Sequence, residues 1–135
     1  MKKIAVVYWS GTGNTQRMAE AVARGSGGEL FAADIFDVER ARELDAIAFG
    51  CPSMGSEQLE ESEFEPMYEA CKPALQGKKI ALFGSYGWGD GEWMRNWEED
   101  CLAAGAILAC ESVICREEPD ADVLAQCEQL GAALQ

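Results

Sequence analysis

Apolar residues gather in five short runs, separated by longer stretches in which apolar and polar positions alternate with a helical period. The runs are "KIAVVYW" (3–9), "ELFAADI" (29–35), "DAIAFG" (45–50), "KIALFGS" (79–85) and "ILACESVI" (107–114). Helical character appears over 14–25, weakly near 38–43, and again over 61–75, 91–104 and 121–134. Several runs are nearly continuously apolar, as expected of strands with helices on both faces. Strand–helix alternation with short connections predicts βαβ units and a parallel sheet with right-handed crossovers. With no repeat, linker or low-complexity segment, residues 1–135 read as one α/β domain.

Composition narrows the function. The formal charge is −13, from 24 acidic and 11 basic residues, which argues against nucleic acid and anionic membranes as partners and favours proteins with a basic face. No apolar run reaches the roughly twenty residues that span a bilayer. The opening "MKKIAVVYWSG" lacks the long apolar core and small-residue cleavage site of a signal peptide, so a cytoplasmic chain is expected. Six cysteines, none in a C-x-x-C pair, read as reduced buried thiols, and the absence of histidine removes the commonest metal ligand and general base.

In a parallel sheet, ligands sit beyond the carboxyl ends of the strands. Three strand exits are rich in glycine, serine and aromatic or sulfur residues: "SGTGNT", "GCPSMGSE" and "SYGWGDGEW". The first runs straight from strand into helix, and an ordinary helix cap would need only one of its hydroxyls. Ser10, Thr12 and Thr15 offer hydroxyls, Asn14 an amide, and Gly11 and Gly13 a close backbone approach at a helix N-terminus that is electropositive without any cation. No lysine follows, so this is not a Walker A loop. Gln16 replaces the third glycine of a dinucleotide fingerprint. A terminal monophosphate fits better. Met54 and Trp88, large apolar residues in glycine-flanked loops, are placed to sandwich a flat aromatic ring.

Together, "YWSGTGNT", "GCPSMGSE" and "LFGSYGWGDGEWM" resemble the flavodoxins, specifically the short-chain type of anaerobic bacteria. The similarity runs from Lys3 to "EEPD" at 117–120, with the fifth strand uninterrupted. The resemblance implies a doubly wound, five-stranded parallel sheet of order 2-1-3-4-5 that binds one FMN non-covalently. Ser10, Thr12, Asn14 and Thr15, with the backbone of Gly11 and Gly13, would hold the phosphate. Met54 and Trp88 would cover the two ring faces, with Pro52 and Ser53 in the same loop as Met54. Gly55 would turn its peptide so that its carbonyl accepts a bond from flavin N5–H, and Glu57 would accept one from N3–H. Ser85, Tyr86, Gly87 and Gly89 would line the pyrimidine side and ribityl chain, and Glu117 lies where relatives often place an amide. The compact "RGSGGELFAADIF" implies a shortened first helix or second strand.

The function implied is a low-potential one-electron carrier, a cytoplasmic monomer that passes electrons between reductases and oxidoreductases through a neutral semiquinone. A small FMN-dependent NAD(P)H:quinone reductase is the alternative, and short connections leave it little room for a substrate pocket. A receiver domain of similar topology would need acidic residues after the first strand, where "WSGTGNT" has none. The Cys110-to-Arg116 spacing matches a phosphatase loop, but its intervening residues are strand-like and follow the wrong strand. Trp93 and Trp97 read as helix packing, with Trp93 near enough to Trp88 to support it, and Trp9 as packing at the end of the first strand. The acidic "EQLEESEFE" reads equally as a solvated helix start or a docking surface for basic partners.

Overall fold

The structure, a computed structural model, describes residues 2–135. Its elements follow the predicted alternation: β1 (Ile4–Tyr8), α1 (Asn14–Ser26), β2 (Glu29–Ala32), α2 (Val38–Arg42), β3 (Ala46–Gly50), α3 (Phe64–Cys71), β4 (Lys79–Tyr86), α4 (Glu92–Ala103), β5 (Ile107–Leu108), β6 (Val113–Arg116) and α5 (Ala121–Ala132). All strand pairings are parallel, in the order β2-β1-β3-β4-β5, with β6 extending the β5 edge along β4.

Strand parity sorts the core into two layers. Ala5, Val7, Ile47, Phe49, Ile80 and Leu82 face one way, toward Phe64 and Tyr68 of α3 and Trp93 and Trp97 of α4. Ile4, Val6, Ala46, Ala48, Ala81 and Phe83 face the other, toward Met18 and Val22 of α1 and Cys127 and Leu130 of α5. Both faces are covered, which explains why the central strands carry unbroken apolar runs. Three of the six sheet residues beneath α1 and α5 are alanines, and these two helices pack closely on each other above them. A Cβ on Gly25 of α1 would overlap the carbonyl of Glu128 in α5, and one on Gly131 would come within 2.8 Å of the Ser26 nitrogen.

Three boundaries differ from the sequence expectation. The fifth strand is not continuous: five residue steps from Leu108 to Val113 oppose three steps from Ile80 to Phe83 of β4, so two extra residues bulge out. The Ser112 hydroxyl in that bulge donates to Glu98 of α4 at 2.6 Å. A bulge in an edge strand interrupts the free ladder that would otherwise invite edge-to-edge pairing. The second strand ends at Ala32 and a 3₁₀ turn occupies Ala33–Ile35, because Asp37 starts α2 by accepting the Arg40 amide at 3.0 Å. The compact segment thus shortens β2, while α1 keeps 13 residues. Finally, α3 begins at Phe64 rather than 61, for a reason that belongs to the site.

Five of the six cysteines are buried and all are free. Burial pushes the Cys71 and Cys101 thiols up to about 11 and Cys127 to about 12, so they stay protonated at neutral pH. Burial and Glu111 raise Cys110 as well, the opposite of what a phosphatase nucleophile requires.

Candidate functional site

The carboxyl ends of β1, β3 and β4, neighbours in the sheet, bring the three polar loops to one rim. Main-chain bonds zip them together: Trp9 N–H to Gly50 O at 3.0 Å, Cys51 N–H to Phe83 O at 3.1 Å, and Ser53 N–H to Ser85 O at 2.9 Å. Between the loops opens a cleft of about 270 Å³. Gly11, Thr12, Asn14 and Thr15 line it from the first loop, Pro52, Ser53 and Met54 from the second, and Ser85, Tyr86 and Gly87 from the third. Glu117 and Trp9 complete the wall. Ser10, Gly13, Gly55, Glu57, Trp88 and Gly89 belong to the same loops but do not line the cleft itself.

The first loop is built to present amides. Ser10 Oγ accepts the Gly13 N–H at 3.0 Å, bending the loop, and Gly13 takes a left-handed φ of 97° with open space where a Cβ would stand. No side chain caps α1, whose first backbone bond runs from Arg17 N–H to Gly13 O at 3.0 Å. Thr12 Oγ1 accepts the Asn14 N–H at 3.4 Å, and the amides of the first turn carry the positive end of the helix dipole with no acidic residue in that turn. Thr15 and Ser85, both buried, share a hydroxyl–hydroxyl bond of 2.8 Å that ties the helix start to β4. These donors suit a phosphate monoester.

The second loop is a small hairpin. Met54 and Gln58 exchange backbone bonds of 2.8 and 2.9 Å, and the turn between them places Gly55 at φ 52° and Glu57 at φ 54°. Met54 stands partly exposed, and Trp88 on the third loop is the most exposed large apolar side chain among the described residues, at 62%. Both are free to contact a flat ligand. Glu57 reaches across to the third loop: its Oε1 accepts the Glu92 N–H at 2.9 Å at the start of α4, and its carboxyl packs on Gly89. One carboxylate oxygen remains for another donor. Behind the loops, Trp93 holds the Cys51 carbonyl through its Nε1–H at 3.3 Å and packs on Tyr86, a supporting role, whereas Trp97 is core.

Two residues escape local sequence reasoning. Trp9 is a cleft residue rather than mere packing. Glu60, inside a stretch that reads as a solvated acidic face, is buried, and its carboxylate accepts the amides of Ser62, Glu63 and Phe64, each at 2.8 Å, as well as the Ser62 hydroxyl. Its own amide donates to Cys51 Sγ at 3.4 Å. This knot, rather than a helix, occupies 60–63 and fixes where α3 begins. Its only sequence signal is an acid a few residues before an apolar helix, and neighbouring acids dilute it. Burial by itself raises the Glu60 carboxyl, but the Ser62 hydroxyl and the three amides outweigh it and hold the group below the usual carboxylate range. Such a group adds stability above its unfolded pKa, lost as pH falls through the folded one. Glu60→Gln is expected to cost about 1–3 kcal/mol at neutral pH, and its gap from the parent chain should narrow as pH falls below about 4. Thermal melts of both chains at the two pH values check this.

Such a rim, at the carboxyl ends of a parallel sheet of order β2-β1-β3-β4-β5, defines a doubly wound α/β protein with a phosphate-suited cleft. The Flavodoxin family profile matches residues 6–131, and the chain belongs to that family. It is 48% identical over 120 residues to a flavodoxin of Clostridium beijerinckii, covering 85% of this chain and 87% of that one. It is 42% identical over 135 residues to a flavodoxin of Megasphaera elsdenii, covering 96% of each. The solution structure of the two-electron reduced M. elsdenii flavodoxin superposes with a TM-score of 0.88 at 40% identity, over 97% of both chains. As a flavodoxin the chain is an electron-transfer flavoprotein whose cofactor is FMN, acting with redox partner proteins. No helix among the described residues is long and apolar enough to cross a membrane.

Proposed function

We propose that residues 1–135 form a single FMN domain working as a low-potential, one-electron carrier rather than an enzyme, a cytoplasmic monomer that passes through a neutral semiquinone. The observation that carries this reading is the cleft's donor set: an uncapped helix start, clustered hydroxyls and no basic side chain among the lining residues. Ser10, Thr12, Asn14, Thr15 and the backbone of Gly11 and Gly13 hold the phosphate, Met54 and Trp88 cover the ring, and Glu57 accepts from N3–H. Pro52, Ser53, Ser85, Tyr86 and Gly87 line the remainder, with Gly89 beside them against the Glu57 carboxyl. FMN supplies reversible single-electron chemistry; the chain supplies a charge environment that disfavours additional negative charge on the ring.

Two features support that environment. Carboxylate oxygens of Glu57, Asp90 and Glu92 lie within 4.8 Å of one another beside the loops, and Glu117 lines the cleft. Eight of the eleven basic residues, Lys2, Lys3, Arg24, Arg40, Arg42, Lys72, Lys78 and Lys79, belong to strand starts or helix ends, at the opposite edge of the sheet. The resulting charge asymmetry presents the acidic, cofactor-bearing end to partners with basic faces and raises their encounter rate at low salt.

Reductive titration of the FMN-loaded chain tests the reading. A blue semiquinone, a second step more reducing than the first, and no NAD(P)H oxidation are expected; NAD(P)H oxidation coupled to quinone reduction would instead favour the reductase. Gly55→Val should lower the semiquinone yield in the same titration. The left-handed backbone at 52° costs a non-glycine residue about 1–2 kcal/mol, and a β-branched one more. An unchanged yield would remove Gly55 from the mechanism.

A further inference from the structure

Trp9 lines the cleft, yet none of the cofactor contacts described so far is assigned to it. It follows β1, the second strand from the β2 edge, and its main chain extends that strand's pairing with β3. Its ring lies against the backbone of the phosphate loop: a Cβ on Gly11 would come within 3.1 and 3.3 Å of the ring carbons Cη2 and Cζ3. At the other end of the side chain, Nε1–H donates to Glu63 Oε1 at 2.8 Å, across 54 residues of sequence. Glu63 is not loose, because its amide is held by the buried Glu60 carboxylate at 2.8 Å. A continuous line of contacts therefore runs from the knot before α3, through the indole, to Gly11 in the cleft wall.

We propose that Trp9 is a positioning residue for the phosphate end of the cofactor. Its benzo ring braces Gly11, and the bond to Glu63 fixes the indole at the height where the loop is already shaped to receive a phosphate. Holding the loop in advance lowers the ordering cost of binding, and because the indole braces Gly11 rather than the loops of Met54 and Trp88, its effect falls on the phosphate end and not on the ring. The proposal rests on the cleft being an FMN site, and it distinguishes FMN from riboflavin, which has the same ring without the phosphate.

The test measures dissociation constants for FMN and for riboflavin, by flavin fluorescence, in the parent chain, Trp9→Phe, Glu63→Ala, Glu63→Gln and the Trp9→Phe/Glu63→Ala pair. Phenylalanine lacks both the N–H and the ring atoms that reach Gly11. Trp9→Phe and Glu63→Ala are each expected to raise the FMN constant about tenfold while moving the riboflavin constant by less than about twofold. The double variant should be no weaker than the weaker single one, since both remove one bond, and Glu63→Gln should bind like the parent because it keeps an acceptor. Equal weakening for both flavins, additive losses, or a Gln variant as weak as the Ala variant would overturn the proposal. Hydrogen exchange at the Trp9 indole in the cofactor-free chain gives a readout independent of any flavin. Protection in the parent and Glu63→Gln, lost in Glu63→Ala, is expected; an unprotected parent indole overturns the brace. A chain that binds neither flavin yet protects this indole would refute the FMN reading alone.

Discussion

Replacing Trp88 by alanine is expected to weaken FMN binding by about tenfold to a hundredfold while leaving the melting temperature of the cofactor-free chain unchanged. The magnitude follows from aromatic stacking on a flat heterocycle, worth about 1–3 kcal/mol per stacked ring. The selectivity follows from position. Trp88 is 62% exposed on a loop between Gly87 and Gly89 and belongs to neither core layer, so truncation removes little that the fold uses. Trp93, only five residues on, should behave oppositely, because it is buried, packs on Tyr86 and holds the Cys51 carbonyl. Fluorescence titration and thermal melts of Trp88→Ala check both halves, and unchanged affinity would sink the ring sandwich.

Gly25→Ala is expected to destabilise the fold by about 1–3 kcal/mol, with little direct effect on the cleft. The sign matters. Helix propensity alone says the opposite, since alanine in place of a helical glycine is worth about 1 kcal/mol in favour of folding. Here the added methyl has no room: its position overlaps the Glu128 carbonyl and lies 2.7 Å from its carbon, and the obstruction is helix backbone rather than a side chain that could rotate away. Separating α1 from α5 would also lift both from the alanine-lined face of the sheet and loosen the cluster around Met18, Val22, Cys127 and Leu130. Denaturant unfolding monitored by far-UV circular dichroism measures the change, and a stabilised variant would show that the two helices can part at no cost.

Much of this protein is legible from short windows of sequence. The five apolar runs mark the strands because a strand covered on both faces has no polar period to keep, and their alternation with helices leaves a parallel sheet as the economical arrangement. "SGTGNT" reads as an anion site because glycine freedom, hydroxyls and a helix start all fall within six residues. Each of these signals is local, and so it survives in the sequence.

Other features depend on residues that meet only after folding. The bulge after Leu108 arises because β4 takes three steps where its neighbour takes five, which "ILACESVI" cannot disclose alone. Glu60 differs from the acids around it only by being buried against Cys51 and three amides. Trp9 needs Gly11 beside it and Glu63, 54 positions away, to become more than a strand-end aromatic. By itself, then, the sequence determined the order of elements, the parallel sheet and the chemistry of the three loops, because periodicity, turn preference and donor type are properties of adjacent residues. Only the tertiary structure decided which glycines are obligatory, which acid is an anchor and which tryptophan braces the phosphate loop, because those roles are set by distances between atoms far apart in the chain.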